Sequence, residues 1–156
     1  MLKKQTLTTK EASQKIAKFC AYQERCHQEV RDKLFSYGLF KDDVEMIIYE
    51  LTQQDFLNEE RFALAFARGK FKYKKWGRTK IIMELKRRKV SDYCIKKGLA
   101  EIDEDLYLDV LNEVLSKKFD KTKGVKLYQR KYKAAQYAIS RGFENALVWE
   151  TLKSIG

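Results

Sequence analysis

The sequence predicts an all-α protein of three tandem three-helix repeats that form an elongated, curved body. Apolar residues recur at helical spacing along the chain, and the same apolar pattern returns after roughly fifty residues. The 156 residues include no proline, the residue that most often breaks a helix. Repeats of this size bury their apolar faces by stacking on their neighbours, which gives elongated bodies.

The first repeat is predicted from its helix starts and stops. Thr8 and Glu11 have the spacing of a capping box at the start of the first helix. Gly38 suits a left-handed cap after the second helix, and Asp42 and Asp43 begin the third. The apolar residues of the three helices are Ala12, Ile16, Phe19 and Cys20, then Val30 and Leu34, then Val44, Ile47, Ile48 and Leu51.

The second and third repeats follow from one spacing pattern. Apolar residues lie eight and four positions before Gly38 and six, ten and thirteen positions after it, and the same positions counted from Lys89 and Gly142 are also apolar. All fifteen offset positions are apolar: Val30, Leu34, Val44, Ile48, Leu51, Ile81, Leu85, Ile95, Leu99, Ile102, Ala134, Ala138, Val148, Leu152 and Ile155. We therefore expect repeats at residues 1–56, 57–103 and 104–156, the central one being the most basic.

The opening helices of the later repeats follow from their apolar stripes. We expect one from Asn58 to about Lys74, with Phe62, Phe66 and Tyr73 facing inward. The other runs from Asp103 to about Lys118. Its inward residues are expected to be Leu106, Val110, Leu111, Val114 and Leu115.

Positive charge is concentrated in one window. Between Arg68 and Lys97 there are thirteen basic and two acidic residues, so this window accounts for the formal net charge of +11 of the whole chain. Acidic blocks at 42–60 and 101–116 flank it, and a second basic run covers 117–133. A local positive field indicates a polyanionic or acidic partner. The alternation indicates a positive face or groove, although the fold decides which blocks meet.

Aromatic residues interleave with the lysines of this window, a pattern that can stack bases while lysines contact phosphates. Tyr73 also fits the inward stripe, and Trp76 also fits an inter-helix corner. Arg88 is expected nearer the packed side and Arg61 in a structural ion pair. The residues predicted to bind a nucleic acid or an acidic partner are Arg68, Lys70, Lys72, Lys74, Lys75, Arg78, Lys80 and Arg87, of which Lys80 and Arg87 are expected to point outward.

No residue constellation indicates catalysis. The only histidine, His27, lies beside Cys26 without the ligand spacing of a zinc site. We therefore expect no metal, no cofactor and no enzymatic activity. Three cysteines without a disulfide spacing, no signal peptide and no membrane span predict a soluble cytoplasmic protein.

One stretch resembles a known family. The run LNEERFA from Leu57 to Ala63, followed by Gly77-Arg78 and then Ile81 and Leu85, is similar to the central signature of the RecX regulatory proteins, which modulate the RecA recombinase. Residues 21–38 resemble the first repeat of that family. Two positions depart from its pattern: Cys26 replaces a serine-type helix cap, and Lys89 replaces a glycine.

This resemblance implies three three-helix units and a non-enzymatic modulator that lies in the groove of the RecA filament on DNA. It implies bridging of neighbouring subunits and restraint of filament growth, ATP hydrolysis and strand exchange in recombination and repair. The expected partners are the RecA filament and single- or double-stranded DNA, with no membrane. We expect a monomer, and we expect residues 68–88 to supply the principal contact.

Other functions stay open at this point. The chain could bind nucleic acid without sequence preference and without RecA, driven by phosphate contacts. A helix-turn-helix regulator would need base-reading side chains on its recognition helix. The helix from Arg78 to Lys89 offers mainly lysine and arginine, which suit phosphates better. Enzymatic activity is the least favoured of these alternative functions.

Overall fold

The computed structural model describes residues 6–155. In this range the chain forms nine α-helices and no strand. They are α1 (Thr9–Tyr22), α2 (His27–Ser36), α3 (Lys41–Gln53), α4 (Glu59–Lys74), α5 (Arg78–Arg87), α6 (Asp92–Ala100), α7 (Glu104–Lys121), α8 (Leu127–Ser140) and α9 (Asn145–Leu152). The predicted all-α fold is confirmed.

The helices pack in threes along an elongated, curved body. The helix pairs in closest contact all lie within one group: α1–α3, α4–α6 or α7–α9. We call these the first, second and third repeats. The accessible surface of 10363 Å² exceeds the roughly 8,200 Å² expected of a compact protein of this mass, as elongation requires.

The predicted capping box of α1 is present. Thr8 Oγ1 accepts a hydrogen bond from the Glu11 N–H at 3.2 Å, and Glu11 Oε1 accepts one from the Thr8 N–H at 3.2 Å. At α2 the cap is the thiol of Cys26, whose sulfur lies 3.5 Å from the Glu29 nitrogen. A thiol accepts hydrogen bonds more weakly than a hydroxyl, so α2 begins with a weaker cap.

The same turn closes the second helix of every repeat. Gly38, Lys89 and Gly142 have φ values of 88°, 60° and 99°, in the left-handed region. After α5, the Val90 N–H donates to the Leu85 carbonyl at 3.1 Å, which satisfies a helix-end carbonyl. Lys89 therefore occupies a conformation that favours glycine, as its place in the repeat predicts.

The apolar repeat positions are buried or half-buried, but two predicted inward residues are exposed. Tyr73 is 75% exposed and Leu106 is 54% exposed, so these two predictions are wrong. Phe71 and Tyr107 are buried instead, with ring centroids 5.7 Å apart. The C-terminal half of α4 packs against the third repeat as well as against the second. Its buried face therefore differs from the single apolar stripe that the sequence predicts.

The second and third repeats share one hydrophobic core, whereas the first has its own. At the shared boundary the Gly77 N–H donates to the Arg141 carbonyl at 2.8 Å and the Thr79 N–H to the Gly142 carbonyl at 2.9 Å. A Cβ at Gly77 would overlap the backbone of Gly142. Only glycine allows the two chains to approach this closely.

Tyr107 joins the same boundary from α7. Its hydroxyl accepts from the Arg78 N–H at 3.0 Å and donates to the Glu144 carboxylate. The ring is fully buried between Phe71 and Phe143. Burial, followed by the hydrogen bond to Glu144, raises the pKa of Tyr107 to about 12.

We expect Lys89→Gly to stabilise the protein by about 0.5–1 kcal/mol, because glycine adopts the left-handed conformation without the strain of a Cβ. Urea unfolding measures this difference. The matched control is Lys86→Gly, an exposed site inside α5. That change should destabilise by about 1 kcal/mol. Destabilisation by both variants would contradict the assigned turn.

We expect Tyr107→Phe to destabilise the protein by about 1–3 kcal/mol, because the Arg78 N–H and the Glu144 carboxylate lose a partner. Tyr73→Phe, on the exposed face of α4, should change the free energy of unfolding little.

The pH dependence gives a second measurement of the same site. The pKa of Tyr107 is raised from 10.0 to about 12 in the folded protein. Above pH 10 the unfolded tyrosine therefore ionises first, and stability falls as pH rises from 10 towards about 12. Tyr107→Phe should lack this part of the loss of stability. If its free energy of unfolding falls above pH 10 as steeply as that of the unsubstituted protein, the burial of the Tyr107 hydroxyl is contradicted.

Candidate nucleic-acid interface

The eight predicted binding residues lie on α4, on the turn after it and on α5, but they do not form one surface. The helix faces and the third repeat divide them among three grooves and the repeat boundary. Their surroundings differ in how much negative charge lies nearby. That difference decides which of them can attract a polyanion.

Arg78 lies in the boundary between the second and third repeats. Its Nη1 is 2.6 Å from Glu104 and its Nε is 3.1 Å from Glu144. The guanidinium stacks on the Tyr107 ring, 3.9 Å from the centroid. Two carboxylates already neutralise this side chain, so it serves the fold.

Lys70 and Lys80 lie against aromatic rings. Their ammonium groups are 5.0 and 4.6 Å from the centroid of Trp76. Trp76 is half-buried and packs edge-on against Phe66, so it closes the inter-helix corner. Lys80 is half-buried rather than fully outward, because its Cβ lies against Gly142.

A second group of the predicted residues lines a groove of mixed charge. Arg68, Lys72 and Lys75 lie with three carboxylates in a groove of about 550 Å³, and the carboxylates are Glu101, Asp103 and Glu113. A hydrogen bond from Lys75 lowers the pKa of Glu113, and the same bond raises the pKa of Lys75. Opposite charges at this spacing weaken the field of the groove.

A basic groove lies between the second and third repeats. A groove of about 290 Å³, which we call the junction groove, contains six basic residues, and none of the described residues that line it is acidic. Its lining residues are Tyr73, Lys74, Lys75, Val114, Lys117, Lys118, Lys121, Tyr137 and Arg141. Within residues 6–155, Lys74, Lys118 and Lys121 form no ion pair, whereas Lys75 and Lys117 both pair with Glu113, at 2.5 and 3.2 Å.

Helical geometry explains how α7 contributes to this groove. Residues 114, 117, 118 and 121 have the spacing i, i+3, i+4 and i+7, which places them on one helix face. Lys118 lies 5.0 Å from the Tyr137 ring of α8. Arg141, at the end of α8, donates to the Lys74 carbonyl and so joins the groove to the end of α4.

The sequence did not identify Lys117, Lys118, Lys121 and Arg141 as site residues. The available signal was the basic run at 117–133 together with lysines at helical spacing. Nothing local in the sequence shows that the end of α4 and this run lie side by side.

The remaining arginines differ in exposure. Arg87 is 70% exposed, 3.6 Å from Glu84, whereas Arg88 lies 3.1 Å from Glu84 on the packed side, as expected. Arg61 forms the expected structural ion pair, with Glu24 at 2.6 Å and Asp55 at 3.1 Å, rather than with its neighbours Glu59 and Glu60.

Within residues 6–155, no three His, Cys, Asp or Glu side chains are grouped as metal ligands would be. In the same range, no helix has the length and apolarity that crossing a membrane requires. Burial raises the pKa of the Cys26 thiol to about 11, so it stays protonated at neutral pH.

Two family models match the chain. The model described as "RecX, second three-helix domain" matches residues 58–99, and the one described as "RecX, third three-helix domain" matches residues 104–152. Each match coincides with one three-helix repeat of the structure, the first spanning α4–α6 and the second α7–α9.

Relatives named "Regulatory protein RecX" are similar over most of the chain. The Clostridium tetani protein is 30% identical over an alignment of 146 residues that covers 88% of this chain and 62% of that protein. The Prosthecochloris aestuarii protein is 28% identical over 147 residues, 94% of this chain and 95% of that protein. The chain therefore spans about three fifths of the first relative and nearly all of the second.

Solved structures share the fold. The crystal structure of RecX from Lactobacillus salivarius superposes with a TM-score of 0.86 at 19% identity, covering 94% of this chain and 96% of that chain. A second RecX crystal structure superposes with a TM-score of 0.84 at 19% identity, covering 93% of this chain and 71% of that chain. The backbone arrangement of the repeats is thus found in other proteins.

Charge reversal in the junction groove should weaken binding to DNA. We expect Lys118→Glu with Lys121→Glu to lower the affinity for bare DNA roughly tenfold or more at low salt and to reduce the salt slope by about two. Fluorescence anisotropy at several salt concentrations measures both quantities.

The matched control is Lys10→Glu with Lys18→Glu, which changes the net charge equally on the exposed face of α1. Equal loss of affinity in both double variants would show that net charge, and not the junction groove, governs binding. Circular dichroism confirms that each variant is folded.

Proposed function

Because the chain belongs to the RecX family, we propose that it is a non-enzymatic regulator of RecA that binds in the groove of the RecA–DNA filament. There it restrains filament extension, ATP hydrolysis and strand exchange in cytoplasmic DNA repair and recombination. The observation that carries this proposal is an elongated body with a basic groove on one flank, in which Lys74, Lys118 and Lys121 are unpaired within the described residues. Such a body can follow a filament groove while its lysines contact phosphates.

The proposed DNA contact is the junction groove. Of the eight residues predicted from sequence, Lys74 and Lys75 belong to it, together with Lys117, Lys118 and Lys121. Arg87 adds an exposed charge at the end of α5. Lys70 and Lys80, against Trp76, and Arg68 and Lys72, in the groove of mixed charge, are proposed as secondary contacts. Arg78 is assigned to the repeat boundary, because its two carboxylate partners already neutralise it.

The first repeat offers a different surface, suited to a protein partner. Met46 and Tyr49 of α3 are 59% and 64% exposed, and Phe40 at its N-cap is 83% exposed. Asp42 and Glu50 lie on the same face of the helix. Apolar side chains with acidic neighbours complement the basic edge of a protein better than they complement phosphates. We assign the RecA contact to this face.

A second candidate function is sequence-independent DNA binding without RecA. The composition of the junction groove favours it, because lysine and arginine contact phosphates whereas base reading relies on asparagine, glutamine or bidentate arginine. The two functions differ in how much of this protein is needed to change ATP hydrolysis by RecA.

Titration into RecA on single-stranded DNA with ATP separates the two. We expect ATP hydrolysis to fall at substoichiometric amounts of this protein, because each molecule bridges or blocks several RecA subunits. Binding to the same DNA without RecA is measured in parallel. Lys118→Glu with Lys121→Glu should lose the inhibition, and Lys10→Glu with Lys18→Glu should retain it.

A different dependence on protein concentration would refute the proposed regulation of the filament. If hydrolysis changes only when enough protein is present to coat the DNA, this chain competes with RecA for the strand, and regulation of the filament is not its function.

A further inference from the structure

The third repeat exposes three aromatic side chains in one groove between α8 and α9. Tyr128, Tyr132 and Trp149 are 66%, 53% and 39% exposed. They line a groove of about 540 Å³ with Gln129 and Lys133, which we call the aromatic groove. The rings of Tyr132 and Trp149 lie 6.5 Å apart at an interplanar angle of 34°.

These aromatic residues are not needed for the core. The buried face of α8 consists of Ala134, Ala135 and Ala138, and α9 is buried through Val148 and Leu152. Tyr128 and Tyr132 lie outside that face, one helical turn apart. Gln136 Nε2 donates to the Tyr132 hydroxyl at 2.9 Å and orients its ring towards the groove. Large rings grouped on a surface indicate a binding site.

The charges around the aromatic groove are mainly positive. Lys133 lines it, and Lys153 follows Trp149 by one helical turn; Glu150 is the acidic neighbour on α9. On the opposite edge of α8, Tyr137 and Arg141 belong to the junction groove. One helix therefore separates a surface of flat rings from a groove lined by basic residues.

We propose that the aromatic groove stacks unpaired bases of a single DNA strand whose phosphates continue into the junction groove. Flat faces beside lysines suit a ligand that alternates bases with phosphates, because every base offers a π-face and every linkage a negative charge. A protein segment would need acidic residues beside its apolar ones. The proposal deepens the proposed function and rests on its DNA contact, without requiring RecA.

Trp149 reports directly on this groove. The chain has two tryptophans, so Trp76→Phe leaves Trp149 as the only one. We expect a short oligothymidylate to quench its fluorescence, because a base stacks on the indole. An abasic oligonucleotide of equal length should bind through its phosphates without that quenching. Equal quenching by both strands, or none by oligothymidylate, would overturn the proposal.

Substitution of the tyrosines tests the same contact by affinity. Tyr132→Ala should weaken binding of oligothymidylate by at least roughly fivefold and leave binding of the abasic strand unchanged. Tyr132→Phe should bind oligothymidylate nearly as well, because it keeps the ring. Tyr22→Ala, at the end of α1, is the matched control for loss of an exposed tyrosine and should leave the affinity unchanged. Equal losses at Tyr132 and Tyr22 would contradict base stacking.

A further measurement distinguishes a protein ligand of the aromatic groove from DNA. If RecA without DNA quenches Trp149 and oligothymidylate does not, the aromatic groove is a protein-binding surface and the stacking proposal is wrong. Inhibition of ATP hydrolysis without any quenching by oligothymidylate would refute the stacking proposal while leaving the proposed function intact.

Discussion

The start of α5 is completed by the third repeat, and the candidate interface depends on that contact. A helix leaves its first N–H groups without partners inside the helix, and Gly77 at the N-cap has no side chain to accept from them. The acceptors are the carbonyls of Arg141 and Gly142 and the hydroxyl of Tyr107. Separation of the two repeats would remove these acceptors and expose the shared hydrophobic core to water, which is costly. Backbone geometry therefore holds the end of α4 beside α7 and α8, and the junction groove lies at that place.

The boundary between the first and second repeats uses the equivalent position with different chemistry. Cys26, the N-cap of α2, is buried in the core of the second repeat. His27 lies 3.5 Å from Glu59, where the later boundary pairs Arg78 with Glu104 at 2.6 Å. At this equivalent position the earlier boundary has the longer contact, although Arg61 and Glu24, 2.6 Å apart, also join the first two repeats. The first repeat keeps a separate core. This division matches the surfaces: an apolar and acidic face on the first repeat, and a basic groove built jointly by the other two.

The fold was predictable because its determinants are local or periodic. The capping box of Thr8 and the left-handed turns at Gly38, Lys89 and Gly142 depend on residues within a few positions of one another. The exposed Tyr73 and Leu106 were predicted wrongly because the inward face of an opening helix depends on the neighbouring repeat. The junction groove was not predictable for the same reason. It combines the end of α4 with lysines about forty residues later, and only the packing at the repeat boundary joins them.

The number of basic residues in a stretch of sequence thus does not show where unpaired positive charge lies in the structure. A field depends on charges that remain after pairing, and carboxylates of α7, α5 and the α9 N-cap neutralise Lys75, Arg88 and Arg78. The same reasoning explains why α8 can serve two kinds of contact. Its buried face is made of alanines, which leaves its larger side chains free to cover both edges. One edge adds Tyr137 and Arg141 to the lysines of α7, and the other adds tyrosines to Trp149. A single strand crossing α8 would meet phosphate-binding and base-stacking groups on the two edges of one rigid helix.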